Sequence, residues 1–477
     1  MTKQQQGIFD ARTLGKGKML TLGLQHMFAM FGATVLVPVL TGLPMSATLL
    51  FAGLGTLIFH FLTKLKVPAF LGSSFAFIGG YAAVAGSPLA EDAAESFHPE
   101  LLPYACIGVF AAGLVYFILA GLFAAYGAKK VMRFFPPIVT GPIIIAIGLT
   151  LSGTAISSCN EATPYEMIIS GDQIMTISNW PIALLAIAII LVCNIWGKGM
   201  IRIIPILLGV LGASLVAVIV ELFEPGMYID PAKLDALHNA SWLGLPIEWD
   251  KTVFPVIMNP RWGVILTAVI TIVPISLATM VEHIGDMCAI SSTTGKNYIE
   301  DPGLHRTLMG DGLATALASL FGAPANTTYG ENTGVLNLTK VYDPRVIRIA
   351  AVFAILVSFC PKFSALIACM PNAVIGGVSL VLYGMISAVG VRNIVENQVD
   401  FTKTRNVVIA ALILVLAIGI KYGAGDSIPL GSISLSGLAV AALAGIILNA
   451  ILPGKDYEFG ANPKGDKAVD FEVKGHE

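Results

Sequence analysis

Apolar runs of about 20 residues, long enough to cross a bilayer, recur along nearly the whole chain. No other feature restricts the fold as much, because the hydrocarbon layer offers no water and every backbone N–H and C=O must be paired within the protein. Runs begin near Met19, Ala47, Pro68, Pro103, Pro136, Pro181, Ile203, Gly263, Leu304, Ala323, Val346, Ala373, Val407 and Ile433, giving about fourteen helical spans. Of 477 residues only 12% are charged and 56% are hydrophobic, with a mean hydropathy of +0.80. The charged share is about half that of a soluble domain, so the expected class is an all-α polytopic membrane protein in contact with lipid on most sides.

Basic residues gather in alternate connections: Lys16 and Lys18, Lys64 and Lys66, Lys129 to Arg133, Lys198 and Arg202, Lys296, Lys340 to Arg348, Arg392 to Arg405, and Lys455. The positive-inside rule makes these cytoplasmic and puts both termini inside. Two opposite connections agree, since Ser87 to Pro103 carries Glu91, Asp92, Glu95 and Glu100 without Lys or Arg, and Cys159 to Trp180 is also acidic, whereas the longest, Glu224 to Trp262, is mixed, with Lys233, Lys251 and Arg261. The segment before Met19 is polar and no small-residue cleavage site follows the first run, so that run is expected to stay as a span. A net charge of -2 and the lack of a basic run or zinc-ligand spacing argue against nucleic acid and against a bound metal. The six cysteines stand singly, most of them in apolar segments, with no Cys-x-x-Cys pair.

Two polar breaks interrupt the apolar pattern. From Asn326 to Lys340 the chain reads Asn-Thr-Thr-Tyr-Gly-Glu-Asn-Thr-Gly-Val-Leu-Asn-Leu-Thr-Lys, and near Gly72 it reads Gly-Ser-Ser-Phe. A continuous span would not concentrate polar groups this way, because each one buried without a partner costs several kcal/mol. Pro324 and the Thr327-Thr328-Tyr329 run favour a short strand, and Glu331 opens a helix. The expected structure is a broken helix whose N-terminus, carrying roughly half a positive charge, faces a small acceptor-rich solute. The competing reading is a surface loop with a capped helix behind it. The breaks also echo each other: Gln25-His26 matches Glu282-His283 (283 − 26 = 257), and Gly72-Ser73-Ser74-Phe75 matches Asn326-Thr327-Thr328-Tyr329 (327 − 73 = 254). Near-equal offsets and an odd number of spans per half, about seven, point to two inverted repeats with short strands in the broken spans 3 and 10.

Ionisable residues deep in an apolar run need a reason, since a charge at the bilayer centre costs about 2.5 to 3.5 kcal/mol or more. Glu282 is one, and Asp286 follows four residues later. On a helix that spacing puts both on one face, where two carboxylates in a low dielectric do not both ionise and one becomes a proton carrier. Alternatively span 8 ends early and leaves Asp286 in cytoplasmic water. Glu331 either accepts from a ligand or simply caps its helix. His26 and His283 are weaker candidates, because a lone helical histidine is commonly a hydrogen-bonded packing residue. Carboxylates at Glu282 and Glu331, with main-chain donors near Phe75 and Gly330, suit a planar ring with alternating N–H and C=O groups, and Phe75 or Tyr329 offers it an aromatic face.

The motifs Gln25-His-Met-Phe-Ala-Met-Phe-Gly-Ala-Thr-Val-Leu-Val-Pro, Gly72-Ser-Ser-Phe-Ala-Phe, Glu282-His-Ile-Gly, Asp301-Pro-Gly-Leu-His-Arg and Gly330-Glu-Asn-Thr-Gly-Val-Leu-Asn-Leu-Thr-Lys340 resemble the nucleobase/ascorbate transporter family, and within it the bacterial uracil permeases. The resemblance runs from about residue 15 to 455. Glu at the head of the last motif is similar to pyrimidine carriers, where xanthine and urate carriers usually have Gln. It implies proton-coupled uptake of uracil or a related nucleobase across the cytoplasmic membrane of a bacterium, without a cofactor, by a homodimer. It implies a core domain of spans 1–4 and 8–11 (residues 19–133 and 263–370) and a gate domain of spans 5–7 and 12–14 (134–224 and 371–452). The remaining segments are a cytoplasmic N-terminus (1–18), an extracellular connection (225–262) and a cytoplasmic tail (453–477).

Carried over by position, Glu282 and Glu331 bind the ring, main chain at Phe75 and Gly330 meets its carbonyls, and Ala33 lines the pocket; Asn332 and Thr339 belong to the supporting motif. The chain departs from the family pattern at Asp286, where uracil permeases have His, which leaves the proton route and a Na⁺ alternative open. A purine permease or an anion carrier of related fold is the neighbouring alternative. A membrane enzyme is the alternative from another class, although Glu-His-Ile-Gly-Asp is not His-Glu-x-x-His, and no nucleotide-binding or Gly-x-Ser-x-Gly motif stands out.

Overall fold

The computed structural model describes residues 7–86, 97–160, 162–165, 175–223, 227–229, 231–425, 427–430 and 433–454. Glu91, Asp92, Glu95 and the polar tail from Lys455 lie outside the described residues. Eight helices among the described residues are long and apolar enough to cross a membrane, or nine if one bent pair is a single span, and three shorter apolar helices accompany them.

In chain order α1 (Lys16–Thr41) and α2 (Met45–Leu62) are followed by strand β1 (Leu71–Ser73) and the short α3 (Ile78–Ala85). Then come α4 (Leu102–Tyr126), α5 (Pro137–Asn160), the hairpin β2 (Ala162–Tyr165) and β3 (Met175–Ser178), α6 (Trp180–Ile195) and α7 (Pro205–Phe223). The second half holds α8 (Trp262–Ile272), α9 (Ile275–Thr294), α10 (Leu304–Leu320), strand β4 (Asn326–Thr328) and α11 (Glu331–Thr339). It continues with α12 (Pro344–Ser358), α13 (Pro361–Ala368), α14 (Asn372–Glu396), α15 (Thr404–Gly423), the hairpin β5 (Ser427–Leu430) and β6 (Ile433–Ser436), and α16 (Gly437–Ile451). The two hairpins were not expected from the sequence.

Local chemistry explains where the helices end. Gly42 stops α1 at φ +75°, its N–H bonding Pro38 O at 2.9 Å, a left-handed position that suits glycine. Pro274, which has no N–H, separates α8 from α9. At Cys360-Pro361 the chain turns by 87° between α12 and α13. Asp343 caps α12, accepting from Arg345 N at 2.9 Å, and also accepts from Ala11 N at 2.7 Å. That second bond straps the N-terminal segment onto the end of α11, together with Ile8 N to Lys340 O (2.7 Å), Tyr342 N to Ile8 O (2.8 Å) and the Phe9–Tyr342 ring contact at 5.3 Å. The Arg12 guanidinium beside Asp10 holds that exposed carboxyl below the ordinary carboxylate range.

The most extensive helix pairings fall into two sets. In one, α2 packs on α10 and α12, α4 on α10 and α8, and α1 on α12; in the other, α5 packs on α14 and α15, α14 on α6, α6 on α7, and α15 on α16. Contacts between the sets are sparser, chiefly α8 with β6, α1 with α7, and α9 with α5 and α16.

Candidate functional site

The two polar breaks meet. β1 and β4 pair antiparallel, with Leu71 opposite Thr328, Gly72 opposite Thr327 and Ser73 opposite Asn326, and Tyr329 N (to Phe70 O, 2.9 Å) and Ser74 N (to Ala325 O, 2.9 Å) extend the ladder. All six strand residues are buried. A two-stranded ribbon has two open edges, each a row of unpaired polar groups, and inside a membrane protein those edges need partners. Side chains supply them. Thr56 Oγ1 accepts from Leu71 N at 2.9 Å, Thr315 Oγ1 donates to Asn326 O at 2.8 Å, Ala325 N donates to the Tyr81 hydroxyl at 3.0 Å, and Asn326 Nδ2 donates to Phe51 O. Thr56 on α2, Thr315 on α10 and Tyr81 on α3 therefore hold the ribbon in place of a third and fourth strand.

From the ends of this ribbon the chain enters α3 and α11, so two half-helix N-termini face the same buried ribbon. A helix start leaves leading N–H groups without an intrahelical carbonyl; the pairing begins with Ile78 N to Phe75 O before α3 and Thr333 N to Gly330 O (3.0 Å) in α11. Gly330 precedes α11 at φ -63°, an ordinary helical value, so glycine is needed there for space and not for conformation. A Cβ on Gly330 would stand 3.0 Å from Asp286 Oδ1. The helix does not end early: α9 continues to Thr294, and Asp286 is half-buried with Thr328 Oγ1 donating to its Oδ2 at 3.1 Å.

The same Thr328 hydroxyl lies 3.2 Å from His283 Nδ1, which is also 3.2 Å from Asp311 Oδ2; His283 and Asp311 side chains are both fully buried. A polar chain thus runs Asp286, Thr328, His283, Asp311 across α9, β4 and α10. Asp311 escaped the sequence reading, although the argument used for Glu282, a carboxylate inside an apolar run, applies to it equally. Glu282 sits one helical turn before Asp286 on α9 and is half-buried.

At the other end of the ribbon Phe75 is buried, its ring 5.9 Å from that of Tyr383 on α14 in an edge-on contact at 82°. Tyr329 is a brace. Its hydroxyl donates to Ser73 O at 2.8 Å and meets Ser73 Oγ at 3.1 Å and Thr34 Oγ1 at 3.2 Å, while its ring lies where a Cβ on Gly72 would come within 2.6 Å. His26 and Asn332 are buried, with no hydrogen-bond partner for either polar side chain among the described residues. Thr339 lies away from the ribbon at the far end of α11, donating to Val335 O at 2.8 Å. The side chains of Ala33 and Glu331 lie outside the described residues.

A model of the Permease family (Xan_ur_permease) matches residues 17–425. A uracil permease of Bacillus caldolyticus is 41% identical over 461 residues, 95% of this chain and 96% of the relative. A uracil permease of Bacillus subtilis (strain 168) is 39% identical over 438 residues, 91% of this chain and 92% of the relative. Among solved structures the fold resembles the transmembrane domain of a cyanobacterium bicarbonate transporter, BicA, with a TM-score of 0.58 at 16% identity, covering 94% of this chain and 100% of that one. It also resembles the murine Slc26a9 anion transporter in the inward-facing state, with a TM-score of 0.56 at 10% identity, covering 91% of this chain and 67% of that one.

Proposed function

We propose, from the premise that this chain belongs to the Permease family matched over residues 17–425, the nucleobase/ascorbate transporters, that it takes up uracil in symport with protons across the bacterial cytoplasmic membrane. The family is one of permeases, so the chain is a transporter and not an enzyme. One observation carries the substrate reading: the paired broken spans bring two helix N-termini to one buried ribbon, with the Asp286 carboxylate of α9 against Gly330 and Thr328. Uracil presents two ring N–H donors and two carbonyl acceptors, and that mixture needs both kinds of partner. In this reading Glu282 and Glu331 accept the ring N–H groups, main-chain N–H groups at Phe75 and Gly330 meet the carbonyls, and Phe75 covers one face beside Ala33. The names of the relatives at 41% and 39% identity support uracil over an anion, since the anion carriers share the fold at 16% and 10%.

Fourteen spans follow if α10 and the β4–α11 segment cross with the other spans, each broken segment counting once. The helix pairings support an inverted repeat. Exchanging each span with the one seven places away turns α4–α10 into α12–α2, α6–α7 into α15–α16, α14–α6 into α5–α15 and α1–α12 into α8–α4, and it returns α5–α14, α2–α10 and β1–β4 to themselves. The two sets of helices correspond to a core domain (19–133 and 263–370) and a gate domain (134–224 and 371–452), in a homodimer with both termini cytoplasmic.

The test is labelled uracil uptake into proteoliposomes under an imposed potential. One proton per neutral uracil moves one charge, so 100 mV supplies about 2.3 kcal/mol, or roughly fifty-fold accumulation. The label should remain chemically uracil, accumulation should collapse with a protonophore, and pyrimidines should compete better than purines. Accumulation that follows Na⁺ and ignores the protonophore would reject proton coupling; preferential competition by xanthine or urate would reject the substrate.

A further inference from the structure

The long connection before α8 has two apolar faces, and the protein covers only one of them. Its inner face is fixed to the ends of α10 and α12: Gly244 N bonds Phe359 O at 3.0 Å, Lys362 N bonds Ser241 O at 3.0 Å, Val253 N bonds Leu320 O at 3.2 Å, and the Phe254 ring meets Phe321 at 5.5 Å. On the outside, Trp242, Leu243, Leu245 and Trp249 are exposed, Leu243 at 80% and Leu245 at 84%. Of the nearby charges, Lys251 and Glu248 pair with each other at 3.2 Å, and the Lys362 ammonium lies over the Trp242 ring, 5.2 Å from its centroid, leaving Leu243 and Leu245 open.

We propose that this connection, residues 231–258, is an interfacial cap whose outer face rests in the headgroup–acyl boundary of the lipid on the side where α10 and α12 end. Continuity selects lipid as the occupant. Ile257, Met258 and Trp262, which lead into α8, are exposed too, so exposed apolar side chains continue along the chain from the cap to the start of a membrane-spanning helix, with Lys251 and Arg261 among them. A water-facing cap fixed this firmly would normally not leave so large an apolar patch open, whereas Trp beside aliphatic side chains is the composition of a membrane interface. The cap grips α10 and α12, so it ties the part of the bundle that holds β4 to the plane of the bilayer surface.

The experiment uses the full chain reconstituted in phosphatidylcholine vesicles, with Trp180, Trp196 and Trp262 changed to Phe so that Trp242 and Trp249 report alone. Lipid brominated high on the acyl chain should remove most of the fluorescence, and aqueous acrylamide should quench it little. Strong acrylamide quenching without quenching by brominated lipid would overturn the proposal. So would protection from both quenchers, which would mean that protein, such as a second copy, covers the face. Single Trp242→Phe and Trp249→Phe variants of the otherwise unchanged chain give a second measurement, since each should lose its share of the lipid-quenched signal.

Discussion

Gly330, which in sequence reads as a point of close main-chain contact with a ligand, has an ordinary backbone in the fold, and what matters is the 3.0 Å between its missing Cβ and Asp286 Oδ1. Gly330→Ala is therefore expected to slow uracil uptake and Gly330→Val to stop it, with both proteins inserted and folded, because the added carbons occupy the space beside the carboxylate. Wild-type uptake by well-expressed Gly330→Val would separate Gly330 from the transport path. Asp311 supports a different expectation. It is fully buried 3.2 Å from the equally buried His283, and leaving a buried polar group without its neighbour costs about 1 to 3 kcal/mol. Asp311→Ala should lower the melting temperature in detergent sharply, and an unchanged melting temperature would mean that the pair contributes little. The sequence made Glu282, Asp286 and Gly330 legible because a charge or a polar break stands out against apolar neighbours. It could not show that His283 pairs with Asp311, since the two are adjacent only once α9 and α10 have packed.

At the level of elements, the broken spans were readable for the same reason: Thr-Thr-Tyr between Pro324 and Glu331 suits a strand and then a helix start, and β4 and α11 form there. The 87° turn at Pro361 was hidden, because the apolar composition continues through it. How closely the helices approach was also hidden. A Cβ at Gly390 on α14 would lie 2.6 Å from Gly141 O on α5, and one at Gly148 on α5 would lie 2.3 Å from Tyr383 O on α14, whereas a Cβ at Gly384 on α14 meets nothing within 4 Å. Small residues at such crossings let backbones approach in the absence of a hydrophobic drive between spans. Gly390→Ala should therefore destabilise the protein by about 1 to 3 kcal/mol, while Gly384→Ala, on the same helix, should be neutral or gain up to about 1 kcal/mol from helix propensity. Thermal unfolding of the two variants side by side checks this, and equal melting temperatures would show that α5 and α14 are free to separate.

Across the whole molecule, the inverted repeat proposed above would make the two broken spans counterparts, and their strands satisfy each other's backbone where neither could stand alone in a membrane. The helix pairings leave the two sets of helices in sparse contact, and Phe75 on one side touches Tyr383 on the other. Transport by movement of one set against the other can be tested with disulfides, in a background with the six native cysteines replaced. A Cβ at Gly32 on α1 would lie 3.2 Å from Ile206 Cβ on α7, across the two sets; a Cβ at Gly23 on α1 would lie 2.8 Å from Ile349 Cβ on α12, within one. Both separations are a little under the 3.5–4.5 Å usual for disulfide Cβ atoms, so each needs only a small shift. Oxidising the Gly32→Cys/Ile206→Cys protein should abolish uracil uptake, with recovery on reduction, while the oxidised Gly23→Cys/Ile349→Cys protein should keep transporting. Uptake that survives the cross-set disulfide, verified as formed by mass spectrometry, would mean that the two sets need not move apart where α1 meets α7.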